Sequence, residues 1–311
     1  SDLSTQLLCT AEGRSVTYAE AEKASGRIAT HLQQLGAAPG DRVTVQVEKS
    51  TENLFLYLAC LRAGLVYHPL NPAYKAAELA YFLSNAEPTL VICATDTIST
   101  METVLPAKGI KALLTLDADG GGTLMQQAGE VDEPDVSVAH CAGTDMAALL
   151  YSSGTTGQPK GIMLTHDNLR TNAENLVQAW GFTASDRLLH MLPIYHVHGL
   201  FVAVSCVLMS GASMAWHSAF DDRAAIAALP DCTTMMGVPT FYTRLLDEQR
   251  FSKDLVSHMR LFISGSAPLL AETIAVELSS PTASPRGPVP DVYFACSAKL
   301  PSPIPSSTDR L

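Results

Sequence analysis

LYSSGTTGQPKG, residues Leu150 to Gly161, packs three glycines, two serines, two threonines and one lysine into a short loop. Apolar runs flank it. Met146 to Leu150 reads as a buried strand, and Ile162 to Leu164 reads as another. A loop of this make-up between strands is suited to holding phosphates. Gly154 and Gly157 can adopt φ > 0 and let the backbone approach an anion closely. Ser152, Ser153, Thr155 and Thr156 add hydroxyl donors beside the backbone N–H groups. Lys160 adds a mobile positive charge with three donors. Each hydrogen bond to a charged group contributes roughly 1.5–3 kcal/mol, so several together hold a triphosphate firmly. A solvated Ser/Gly/Thr turn would not need such order between apolar strands. The loop is also not a Walker A site, which requires G-x-x-x-x-G-K-[ST] opening a helix. Here Gln158 and Pro159 separate Gly157 from Lys160. No Lys or Arg occurs between Lys111 and Lys160, so the cation that ends this gap sits in the loop.

YSSGTTGQPKG resembles the phosphate-loop signature of the AMP-forming adenylating enzymes, the family of acyl-CoA synthetases, luciferases and peptide-synthetase adenylation domains. Three further segments agree: MLPIYHVHGL (Met191 to Leu200), GVPTFYTRLL (Gly237 to Leu246) and LFISGSAPL (Leu261 to Leu269). Together they look most like the malonyl-CoA synthetases, ATP-dependent ligases of malonate and methylmalonate. The resemblance runs from about Ser15 to about Glu272. It implies an α/β fold of two layered subdomains, mostly parallel sheets flanked by helices.

The composition is compatible. The 311 residues are 47% hydrophobic, enough for a sizeable core. The net charge of −11 argues against nucleic acid and anionic membranes as partners. It leaves ATP open, because a local loop can bind an anion within an acidic chain. Seven scattered cysteines without metal spacing read as reduced thiols in a cytoplasmic protein. Leu200 to Met209, the most apolar stretch, is too short to span a bilayer and reads as a buried helix.

The remaining pattern alternates strands and helices. Thr17 and Glu20 form a capping box for a helix that ends before Gly36. Strands are expected at Arg42–Val47, Leu65–Leu70, Thr89–Ala94 and near Ala112–Leu116, with helices from Ser50 to Arg62 and over Ala76–Ser84. Asp117 to Asp145 carries seven acids and no positive charge. It reads as a surface connection between subdomains with one short helix. Further strands are expected at Leu188–Leu192, Ala212–Trp216, Thr233–Gly237 and Leu261–Ser264, with a helix over Phe241–Glu248. Residues 1–278 thus read as a partial AMP-binding domain. Ser279 to Leu311 holds seven of the 18 prolines and reads as a non-matching tail that buries little.

The resemblance implies a two-step reaction. A carboxylate attacks the α-phosphorus of ATP to give an acyl-adenylate and pyrophosphate, and the thiol of coenzyme A then displaces AMP. Ser152 to Lys160 would hold the β- and γ-phosphates, with Mg²⁺ bound mainly through the nucleotide. His196 would orient the reacting carboxylate, and His198 would line the same pocket; the alternative is two loop histidines satisfied by backbone. Arg244, read as a partly buried guanidinium, suits the second carboxylate of malonate; the alternative is an arginine snorkelling to solvent. Ser264-Gly265-Ser266-Ala267-Pro268 would contact adenine and acyl group, with Ser266 also reading as a helix cap. Tyr195 and Trp216 read as packing residues. The family's magnesium-associated glutamate, ribose-binding aspartate and C-terminal domain have no counterpart here. The expected activity is therefore malonate or methylmalonate activation in impaired form. An ATP- or AMP-binding remnant, and a ligase for another short acid, are the alternatives.

Overall fold

A computed structural model describes residues 3–132, 134, 137–152 and 158–266, and the backbone of 291–293. The chain divides into two compact units. One holds residues 1–186 and 190–219, the other residues 187–189 and 220–311.

The first unit opens with β1 (Gln6–Thr10) and β2 (Ser15–Thr17), an antiparallel pair. The sequence pattern did not disclose these strands, because five and three residues carry too little periodicity. α1 (Tyr18–Gln34) begins at the expected capping box. The Thr17 hydroxyl accepts from the Glu20 N–H at 3.2 Å, and the Glu20 carboxylate accepts from the Thr17 N–H at 2.7 Å. β3 (Arg42–Gln46) leads to α2 (Thr51–Arg62), capped by Ser50 as expected. α2 is buried on nearly every side, as a helix with apolar residues all round must be. At Gly64, φ is +68° and a Cβ would lie 2.9 Å from Cys141 Sγ, so glycine is required there.

β4 (Val66–Pro69), α3 (Ala76–Ala86), β5 (Leu90–Cys93), α4 (Ile98–Val104) and β6 (Ala112–Thr115) continue the alternation. α5 (Thr123–Gly129) is the expected short helix. The stretch 117–145 does not separate the two units. It lies within the first and joins β6 to β7 (Met146–Ser152) of one sheet. An acidic, glycine-rich composition reports exposure, and exposed chain connects strands as well as domains. β8 (Lys160–Thr165) completes a six-stranded sheet of order β6-β5-β3-β4-β7-β8. All its strands pair in parallel except β8, which is antiparallel to β7.

α6 (His166–Trp180) was not foreseen. Among its residues only Ala173 is buried, although Leu169, Ala173, Leu176, Val177 and Trp180 recur at helical spacing. β9 (Arg187–His190) ends two residues earlier than expected. The apolar stretch after it is mostly buried, with Met209 exposed, but it is not one regular helix. His198–Val204 winds wide with i→i+5 geometry before α7 (Ser205–Ser210). β10 (Ser213–Trp216) then pairs in parallel with β1.

In the second unit, α8 (Asp222–Ala228), β11 (Thr234–Gly237), α9 (Pro239–Leu246) and β12 (Leu261–Ser264) pack around Leu229, Met235, Leu245 and Ile263. Asp221 caps α8 by accepting from the Ala224 N–H at 2.8 Å. Within the proline-rich tail, Asp291–Tyr293 forms β13, parallel to β12 with Leu261 opposite Asp291. Among the described residues no helix is long and apolar enough to cross a membrane.

Candidate active site

β7 and β8 run antiparallel with Leu150 opposite Ile162, Tyr151 opposite Gly161 and Ser152 opposite Lys160. The last pair stands at the mouth of the glycine-rich loop. Ser152 is half-buried and Lys160 exposed, so a hydroxyl and an ammonium face each other across the base of the loop. Ser153, Gly154, Thr155, Thr156 and Gly157, expected to supply further phosphate contacts, lie outside the described residues.

The hairpin is anchored to α3. The Tyr81 hydroxyl donates to the Pro159 carbonyl at 2.7 Å. The Tyr151 hydroxyl donates to Asn85 Oδ1 at 2.5 Å. The Tyr151 ring packs on Phe82, with ring centres 4.8 Å apart. These contacts tie both strands of the hairpin, at the base of the loop, to α3.

His196 and His198 lie on the turn that leads out of β9. The Leu200 N–H donates to the His196 carbonyl at 3.1 Å. A Cβ at position 199 would lie 2.0 Å from the Pro193 carbonyl oxygen, so the turn closes only around Gly199. His196 is exposed, with its ring against Tyr195 at a centroid distance of 4.4 Å. His198 is half-buried, and burial pulls its pKa down to about 4. It is therefore neutral at pH 7 and can donate one hydrogen bond while accepting another. Trp216 is buried at 3% exposure, in line with packing, and Tyr195 is half-buried.

In the second unit Arg244 departs from the expectation of a partly buried guanidinium. Its side chain is 51% exposed, and Nη2 donates to Asp222 Oδ2 at 3.0 Å. The guanidinium also covers Phe220 at 4.9 Å, and Phe220 stacks on Phe241 at 4.0 Å. The cause is local. Arg244 occupies the last turn of α9, and α8 presents Asp222 in its first turn. The hydrogen bond from Arg244 lowers the Asp222 carboxyl pKa.

Ser264 ends β12 in a buried position, and its Oγ has no hydrogen-bond partner among the described residues. The Gly265 N–H donates to the Gly237 carbonyl at 3.1 Å. Ser266 adopts φ +70°, unusual for a residue with a side chain. Ala267 and Pro268 lie outside the described residues. Sequence reasoning missed Lys49 and His190, a buried pair beneath the histidine turn.

Comparison with known proteins decides the family. A profile described as AMP-binding enzyme matches residues 4–278. The chain belongs to the AMP-binding enzyme family. Its curated relatives include a feruloyl-CoA synthase of Amycolatopsis, 32% identical over 84% of this chain and 51% of the relative. They also include the human mitochondrial malonate–CoA ligase ACSF3, 29% identical over 81% of this chain and 47% of the relative. ATP-bound MatB from Rhodopseudomonas palustris is 45% identical, with a TM-score of 0.86 over 89% of this chain and 55% of that one. The chain spans about half the length of the relatives it matches. Its strands and helices are those of the adenylating-enzyme N-terminal α/β domain.

Proposed function

We propose that this chain carries the carboxylate-activating site of an AMP-forming acid–CoA ligase and that its acid is malonate or methylmalonate. The observation that carries the reading is the β7–β8 hairpin, where Ser152 and Lys160 frame a glycine-, serine- and threonine-rich loop. Malonate is supported by the human, bovine and Arabidopsis malonate–CoA ligases among the relatives. Feruloyl- and coumarate-type relatives make an aromatic acid the competing reading.

In the proposed first step a carboxylate oxygen bonds to the α-phosphorus of ATP. The bond from that phosphorus to the bridging oxygen breaks, and pyrophosphate leaves with the electron pair. The difficulty is electrostatic, since anions must be brought together. Lys160 and the loop donors neutralise the departing pyrophosphate. His196 hydrogen-bonds the incoming carboxylate, and neutral His198 adds a donor without charge. Ser264 to Ser266 take the polar edge of the adenine or acyl group. In the second step the thiol sulfur of coenzyme A bonds to the acyl carbon, the bond from that carbon to the phosphate oxygen breaks, AMP departs with the electron pair, and the thiol proton is released to solvent.

Mg²⁺, when bound, screens the β- and γ-phosphates. Among the described residues no group of three or more His, Cys, Asp or Glu could hold a metal ion. No protein ligand is therefore assigned to it. The described cysteines are all free, which suits the reducing cytoplasm.

Malonate-dependent ATP–pyrophosphate exchange tests the proposal, with acetate, octanoate and ferulate as comparisons. Exchange with malonate alone is the expected result. Exchange with ferulate alone would move the substrate to an aromatic acid. ATP binding with no exchange for any acid would leave this chain a nucleotide-binding unit only.

A further inference from the structure

Lys49 follows β3 and precedes the Ser50 cap of α2, where a lysine would ordinarily reach solvent. Instead it is 7% exposed. Nζ donates to His190 Nδ1 at 2.8 Å and to the His190 carbonyl at 3.0 Å. It also lies 4.1 Å from the centre of the Trp216 ring. His190 is 1% exposed, and its ring packs on Trp216 at 4.7 Å.

The second imidazole nitrogen completes the chain. His190 Nε2 lies 2.9 Å from the Gly199 carbonyl oxygen. A carbonyl can only accept, so Nε2 carries the proton. Nδ1 then presents a lone pair, which accepts a hydrogen bond from the Lys49 amino group. One tautomer satisfies both contacts, and the ring is fixed at both nitrogens. Burial, followed by the neighbouring Lys49, pushes the His190 pKa well below that of free imidazole, which keeps the ring neutral. Gly199 in turn closes the tight turn against Pro193 that carries His196 and His198.

Core packing alone does not account for this arrangement. Burying an amine and an imidazole carries a desolvation cost that apolar side chains of similar volume avoid. What the polar chain supplies is a single position for the Gly199 carbonyl, and with it a single position for the histidine turn.

We propose that Lys49 and His190 are positioning residues, a buried hydrogen-bonded strut that sets the turn 193–199 so that His196 and His198 meet the carboxylate substrate. The role in substrate binding rests on the adenylation reading above; the role in holding the turn does not.

The test uses the full 311-residue chain with Lys49→Met, His190→Phe and His190→Gln. The glutamine keeps one N–H donor for Gly199 and one oxygen acceptor for Lys49. Two quantities are read: amide hydrogen exchange at Leu200, whose N–H bonds the His196 carbonyl, and the separate affinities for malonate and ATP. Lys49→Met and His190→Phe are expected to speed exchange at Leu200 and to weaken malonate binding, each by about tenfold or more. ATP affinity stays at the wild-type value, protection in β3 and α2 falls much less than at Leu200, and His190→Gln restores both losses. Loss of protection spread evenly over β3 and α2 would overturn the proposal in favour of a purely structural role. So would unchanged exchange at Leu200, or a glutamine variant no better than phenylalanine. A wild-type chain that binds no malonate would sink the substrate reading, and exchange at Leu200 would still decide the strut.

Discussion

Two lysines sit at the two most informative places in the first unit, and the fold treats them in opposite ways. Lys160 stands exposed at the mouth of a loop, across the hairpin from Ser152. Lys49 is sealed beneath Trp216 with both its hydrogen-bond acceptors on His190. Burial drives the Lys49 pKa well below the usual lysine value. An exposed ammonium is available as a charge to an incoming anion, whereas a buried amine can act only through the direction of its hydrogen bonds. The comparison teaches that residue type alone does not assign a role. Solvation decides whether a lysine acts through charge or through direction.

Acid should separate the two regions most strongly. His190 is held neutral by burial and by Lys49, and His198 titrates near pH 4. Both folded-state values lie below that of an unfolded histidine. The unfolded chain therefore binds more protons, and stability is present above about pH 6.5 and is lost as pH falls toward 4. Each such histidine contributes at most about 1.4 kcal/mol per pH unit, so the pair contributes at most about 3. Urea midpoints at pH 7, 6 and 5 measure this slope. His190→Gln should flatten it by at most about 1.4 kcal/mol per unit, and an unchanged slope would show that folding does not lower the His190 pKa.

Alanine at each lysine should then give opposite profiles. Lys49→Ala leaves His190 Nδ1 and the His190 carbonyl without their donor and opens space under Trp216. It should cost about 2–5 kcal/mol of folding stability by chemical denaturation. Lys160→Ala should leave stability unchanged and weaken ATP binding by roughly 1.5–3 kcal/mol. Calorimetric titration with ATP reads the second effect. An Lys160→Ala protein with wild-type ATP affinity would remove the hairpin from the phosphate site.

The contrast also explains what could be read from the sequence. Lys160 was legible as a candidate because its neighbours are local: two strands, glycines and hydroxyls fall within twenty residues. The Thr17–Glu20 capping box was legible for the same reason. Lys49 was not, because its partner His190 lies 141 positions away and only the folded chain brings them together. α6 was missed although Leu169, Ala173, Leu176, Val177 and Trp180 follow a helical period and Thr165 and Asn168 cap it reciprocally. Arg244 was legible as a cation after an apolar stretch, but its partner Asp222 and its exposure were not.

Arg244 offers the smallest and sharpest test. A half-exposed ion pair such as Arg244–Asp222 contributes about 0.2–1 kcal/mol, so stability should barely register the loss of either member. Its interest lies in competition. If Arg244 recognises the second carboxylate of malonate, it must first give up or share its hydrogen bond to Asp222. Removing the Asp222 charge should then release the guanidinium and strengthen malonate binding by the same 0.2–1 kcal/mol, roughly 1.4- to 5-fold. Arg244→Ala should weaken malonate binding and leave ATP affinity alone. The pair of variants is informative because the two signs differ: Asp222→Asn up, Arg244→Ala down. Should Asp222→Asn leave malonate affinity unchanged while Arg244→Ala lowers only stability, Arg244 is a surface residue bridging α8 and α9. The recognition of a dicarboxylate would then have to come from other residues.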